Sequence, residues 1–180
     1  MKTLPPISID GKTRLVVKSE AVPPETIDDP GVQACLSYWT EKKGDAFAPK
    51  WSEFRLYELP ARVLPYLLVL DVAPGPPPTF TYRYWGTGHT QYHRRDYTGK
   101  TLEDMVDAWS TELLTVQYLM VMETRRPIVF LNSYDGVETP LKSLRMPLSE
   151  DGQTITHMFG YVGRTGLAES LQPLFSGTLD

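Results

Sequence analysis

The sequence predicts an α+β domain with an antiparallel sheet, and three observations carry that prediction. A nearly continuous apolar run at residues 67–72 leads through the loop Pro74-Gly75-Pro76-Pro77-Pro78 into an alternating aromatic run at 79–85. A broad apolar helical stripe follows between residues 109 and 122. Three strand-like runs, 128–134, 141–148 and 154–162, then appear with turn formers between them. Strands joined by short turns pair antiparallel, and a helical block between two strand groups belongs to the α+β class.

Taken in order, residues 1–28 are Pro-rich (Pro5, Pro6, Pro23, Pro24) with one β-like run at 14–17, and read as an extended arm. The first helix starts at Asp29-Pro30, where the carboxylate caps free amides and proline at the first helical position forgoes no hydrogen bond. It ends at Lys42-Lys43-Gly44, with cations at the negative end of the dipole and a glycine free to take positive φ. Val32, Leu36 and Trp39 recur at helical spacing, so the helix is amphipathic and its stripe is a candidate contact for a second copy or a partner. Residues 49–65 are irregular but carry large anchors, among them Trp51, Phe54, Leu56, Tyr57 and Leu59.

Beyond the hairpin at 67–85 the period changes. Residues 87–96 read as a short polar helix, and Thr101-Leu102-Glu103-Asp104 carries the capping box of the next. In the long helix Trp109, Leu113, Val116 and Met120 form one stripe, which Leu114, Tyr118, Leu119, Val121 and Met122 widen, until Pro127 stops it. Asp135-Gly136 and Glu150-Asp151-Gly152 turn the closing meander, and residues 164–180 read as a tail with a short helix.

Hydrophobic residues make up 41% and charged residues 22% of the 180, the balance of a folding chain of one-domain size. A net charge of -4 offers no electrostatic footprint for a phosphate backbone, which argues against nucleic acid. No leader-like or bilayer-length apolar run occurs, which argues against export and membrane insertion. The single cysteine, Cys35, excludes an internal disulfide and a cysteine-based zinc or iron–sulfur site, and suits the cytoplasm.

A hairpin, helical pieces and a three-strand meander in this order are those of the PAS fold. Tyr97-Thr98-Gly99-Lys100-Thr101-Leu102-Glu103-Asp104-Met105 resembles the PAS segment in which a short helix ends, a glycine turns the chain and a capped helix begins. Tyr38-Trp39, Leu59-Pro60, Leu64-Pro65, Leu70-Asp71, Tyr82-Arg83 and Gly86-Thr87 ahead of Gly99 resemble the single-domain PAS-like proteins common in alphaproteobacteria, over residues 30–163. Trp85 departs from that pattern, which has a smaller residue before the glycine; a tryptophan there reshapes or fills the pocket mouth. The resemblance implies a five-stranded antiparallel sheet with helices packed on one face over a small cavity, in proteins used for signalling. It supplies no ligand.

Tyr82, Tyr84, Trp85, Tyr92, Tyr118, Phe130, Phe159 and Tyr161 are numerous enough to line a cavity, although aromatics on strands mostly fill cores. Arg83 stands out, because an arginine in a part-buried strand needs a carboxylate or an anionic ligand, and Asp71 on the paired strand is an internal candidate. The candidate pocket is thus Arg83, Trp85, Tyr92, Tyr118, Phe130 and His157. His89 and His93 share a helix face as metal or haem ligands do, but Thr90 stands where the metalloprotease pattern has glutamate, and solvated histidines are the commoner case. Gly99-Lys100-Thr101 imitates the end of a phosphate-binding loop, yet Arg94 occupies the place of its first glycine. Cys35 lies outside the short helix where flavin photoreceptors of the resembled family carry their reactive cysteine. The remaining residues assemble no nucleophile–base set.

These readings converge on a stand-alone sensory or regulatory PAS-type domain without catalysis, binding a small molecule, a signalling protein or a second copy of itself, and requiring no cofactor. With residues 29–163 occupied, no room remains for a kinase, cyclase or DNA-binding output, so output is expected to travel by association. Two alternatives compete: a small α+β enzyme with a hydrophobic pocket and His157 or Asp71 as proton shuttle, and a haem- or metal-dependent sensor using His89, His93 or His157.

Overall fold

Antiparallel pairing sets the architecture. The computed structural model describes residues 18–105, 108–133 and 139–163, and for Tyr92 and residues 108–110 the helical backbone alone. Among the described residues six strands form one sheet: β1 (Lys18–Val22), β2 (Leu67–Ala73), β3 (Thr79–Trp85), β4 (Ile128–Ser133), β5 (Leu141–Leu148) and β6 (His157–Gly163). They lie in the order β1-β4-β5-β6-β2-β3, every neighbouring pair antiparallel. The helices are α1 (Pro30–Lys43), α2 (Thr87–His93) and α3 (Ala108–Thr124), with 3-10 turns between, including one at Leu102–Asp104.

A sixth strand therefore joins the five expected. Residues 18–22, within the stretch read as an extended arm, pair with β4 from Lys18↔Ser133 to Val22↔Val129. The segment Lys-Ser-Glu-Ala-Val has no alternation of large apolar side chains, so it carries no strand signal of its own; the open edge of β4 supplies its ladder. The run at 14–17, the Asp135-Gly136 turn, the Trp109 side chain and the tail at 164–180 lie outside the described residues. β6 begins at His157 rather than at residue 154 because Asp151 organises the preceding turn. Its Oδ1 accepts from the amides of Gln153 and Thr154 at 2.8 and 2.7 Å, and its Oδ2 from the Thr154 hydroxyl at 2.7 Å.

Alternation along the strands divides the core in two. Leu67, Val69, Leu144, Met146 and Phe159 face α1 and the irregular segment after it, whereas Leu68, Leu70, Phe130, Met158 and Val162 face α3. Helices thus cover both faces: α1, expected as an amphipathic addition to a sheet with helices on one face, covers the second face. The reason is written in β2: four consecutive buried residues, 67–70, need cover on both sides.

Asp29 starts α1, its Oδ1 accepting from the amides of Gly31 and Val32 at 2.9 and 3.1 Å. Gly44 closes it with φ 51°, and Gly99 turns the chain toward the Leu102–Asp104 turn with φ 76°. The stripe of Val32, Leu36 and Trp39, expected as an interface, belongs to the core. Val32 is fully buried, Trp39 is 4% exposed with its indole N–H donating to the Pro147 carbonyl at 2.8 Å, and Leu36 packs against the same cluster. The irregular approach to β2 holds anchors that cover this face of the sheet, which is why α1 finds its partner within the chain.

Candidate functional site

The α3 face gathers three of the six candidate pocket residues. Trp85 ends β3, Tyr118 descends from α3 and Phe130 rises from β4, all within one buried cluster with Tyr82, Tyr97 and Met158. The rings meet edge-on or tilted, as their quadrupoles favour: Tyr82 to Trp85 at 4.8 Å, Trp85 to Tyr97 at 5.0 Å, Phe80 to Tyr118 at 5.1 Å. Tyr82 donates to the Met105 sulfur at 3.4 Å.

Within this layer lies a cation that sequence reasoning missed. Arg145 on β5 is 2% exposed. The register sets Ile128, Arg145, Gly160, Leu68 and Trp85 in one row across four strand pairings. Gly160 makes room for the guanidinium, since a Cβ there would stand 2.9 Å from Nη1. Among the described residues, Nη1 donates to the Leu144 carbonyl alone, at 3.3 Å, and Nε has no hydrogen-bond partner. The Tyr118 ring lies 5.3 Å from the guanidinium carbon. The Tyr118 hydroxyl and the Trp85 indole N–H are likewise buried without a hydrogen-bond partner among the described residues. Burial pushes the Tyr118 phenol up, against the pull of Arg145.

Among the described residues, the contacts of Arg145 compensate its charge only in part. Burying an unpaired ion costs several kcal/mol even after relaxation. A desolvated cation–π contact returns about 2 kcal/mol and one long neutral hydrogen bond about 1 kcal/mol. Among the described residues no acidic side chain forms an ion pair with Arg145. Beside it runs a polar strip that ties the sixth strand in: Gln117 Nε2 donates to Asn132 Oδ1 at 2.9 Å and to Ser19 Oγ at 3.2 Å, and Asn132 Nδ2 donates to Ser143 Oγ at 3.1 Å, while Gln117 Oε1 is buried without a hydrogen-bond partner among the described residues. The guanidinium, phenol and indole offer donors and no nucleophile, a set suited to holding an acceptor-rich group.

The remaining candidates stand elsewhere. Arg83 and His157 sit on the opposite face, joined through Asp71: Arg83 Nε donates to Asp71 Oδ1 at 2.5 Å, and His157 Nε2 lies 3.3 Å from the same oxygen. His157 also approaches the Thr156 hydroxyl at 3.0 Å and the Trp51 ring at 5.4 Å. Burial lowers the pKa of its imidazole despite the Asp71 carboxylate. A single pocket of Arg83, Trp85, Tyr118, Phe130 and His157 is therefore not formed, because strand alternation sends these side chains to two faces; the Tyr92 side chain lies outside the described residues.

His89 and His93 stand with ring centroids 6.4 Å apart, each against Trp85 at 5.1 and 5.2 Å. His157, their expected third partner, is across the sheet. Among the described residues no group of three or more His, Cys, Asp or Glu is placed to hold a metal ion, and no helix is long and apolar enough to cross a membrane. Burial and the nearby Asp29 charge push the Cys35 thiol up to about 12, which keeps it protonated. Arg145 had a visible trace, an arginine between leucine and methionine in a strand with apolar residues on both parities. Comparisons with protein-family models, curated proteins and solved structures returned no match to this chain.

Proposed function

We infer that this chain is a PAS-type sensory or regulatory binding domain of the cytoplasm, which takes up a small molecule between its sheet and α3 and passes the signal on through a protein partner or a second copy. The observation that carries this reading is the set of buried donors on Tyr118, Trp85 and Arg145, unpartnered among the described residues, inside an aromatic layer. Native interiors satisfy their polar groups, and a bound molecule with acceptors satisfies these. The order of elements supports the fold reading. A β2–β3 hairpin at one edge, helical pieces packed over one face and a β4–β5–β6 meander joined to the hairpin through β6 is the arrangement the PAS resemblance implies, with β1 added beside β4.

The test is mass spectrometry of small molecules released from natively purified protein, beside native spectra of the intact species. A stoichiometric adduct lost on denaturation is the expected result. A homogeneous protein with no adduct, unmoved in melting temperature by a broad metabolite panel, contradicts the reading.

A further inference from the structure

Resting on that reading, we propose that the molecule taken up between the sheet and α3 is an organic anion, its carboxylate docked on Arg145 and the Tyr118 hydroxyl and its apolar body against Phe80, Phe130 and Met158.

The argument starts from geometry. Arg145 lies in the middle of the sheet, paired on one side with Ile128 of β4 and on the other with Gly160 of β6. Its guanidinium rests over Gly160, where the row across the sheet lacks a side chain, and the next members of that row are Leu68 and Trp85. With strands about 4.8 Å apart, the backbones of Arg145 and Trp85 are about 14 Å apart along this row. The donors on this face are the guanidinium N–H groups of Arg145, the Tyr118 phenol from α3 and the Trp85 indole N–H, and the latter two have no hydrogen-bond partner among the described residues.

Charge selects the class. The partner must be negative, because a neutral acceptor leaves a buried cation uncompensated, and planar, because the guanidinium presents parallel N–H groups that match two carboxylate oxygens. The surroundings select the rest of the molecule. Phe80, Phe130, Met158 and Leu68 provide apolar contact, so a carboxylate carrying a hydrocarbon or aromatic body fits better than a polyanion.

The experiment uses the full chain with octanoate and phenylacetate as probes, octanamide and phenylacetamide as neutral matches, and inorganic phosphate as a non-carboxylate anion, followed by calorimetry and thermal melting. At least one carboxylate is expected to bind and raise the melting temperature, with its amide and phosphate at least tenfold weaker. Arg145→Met is expected to abolish the carboxylate preference, Arg145→Lys to weaken it by about tenfold through loss of the fork, and Tyr118→Phe to weaken it severalfold. Near-UV circular dichroism checks each fold, and the lysine and phenylalanine variants carry the test if the methionine variant does not fold. Equal binding of acid and amide, or carboxylate binding unchanged in the variants, overturns the anion assignment while leaving a binding domain. A neutral molecule co-purifying in stoichiometric amount does the same. Neither probe binding, with no co-purifying molecule, removes both the assignment and the function it rests on.

Discussion

Arg83 and Arg145 lie on strands of one sheet and differ in what surrounds them. Arg83 is about half exposed and paired with Asp71, itself partly exposed, an arrangement that contributes at most about 1 kcal/mol. Arg145 is 2% exposed and forms no ion pair with a carboxylate among the described residues. The sequence shows each as a cation within a largely apolar strand and marks Arg83, because an acid stands on the neighbouring strand; which side of the sheet each faces depends on a register no local pattern states. His157 supplies a pH prediction at this scale. Burial favours its neutral form, so below its ordinary value near 6.5 the folded protein binds fewer protons than the unfolded chain and stability falls with acidification. In denaturant titrations between about pH 7.5 and about pH 5.5, wild type is expected to lose more stability than His157→Gln. Equal losses contradict a buried neutral imidazole.

At the scale of elements, the ends of α1, the β2–β3 hairpin and β5 were legible because each is marked by chemistry local to it: Asp29 and Pro30, the prolines between the strands, the apolar residues of 141–148. β1 was not, since its ladder comes from β4, more than a hundred residues away in the chain. The role of α1 was misjudged for a related reason. A helical stripe states that something covers it, and only the tertiary fold states what. Trp39→Ala is expected to cost about 3–5 kcal/mol, a large aromatic truncation in a packed core, compounded by leaving the Pro147 carbonyl without its donor. Oligomeric state by light scattering should be unchanged in the fraction that stays folded. A mild stability loss with a change of association state would return the stripe to an interface. Pro147 itself is tolerated in β5 because the pairing of β4 with β5 ends at Arg145, before the missing amide is needed.

For the whole molecule, the sheet is the shared wall of two cores with separate tasks. The α1 side is closed by large apolar anchors and the buried Asp29 there caps α1, while the α3 side carries Arg145 and, among the described residues, the unpartnered donors of Tyr118 and Trp85. Under the proposed function this division separates stability from recognition, so a polar-atom change on the α3 side such as Tyr118→Phe is expected to alter binding without unfolding the chain. The composition and the two strand groups announced one α+β domain; the division of labour between faces is a property of register and had no local signature.

The ladder between β2 and β6 has a further consequence, in the order of events by which the chain reaches this state. The hairpin and the meander each close over short loops, but Leu67↔Tyr161 to Asp71↔His157 join residues separated by most of the domain. Each half can form early, and neither has its full core until that seam is made. Closing it costs loop entropy before any contact returns it, so refolding should be slow for a domain of this size. Amides of Leu68, Val69 and Leu70 should exchange with solvent only through global opening, while those of edge strands β1 and β3 exchange through local fraying. Hydrogen exchange resolved by strand checks this: protection no greater at the seam than at the edges would mean the two halves come apart and rejoin while each stays folded.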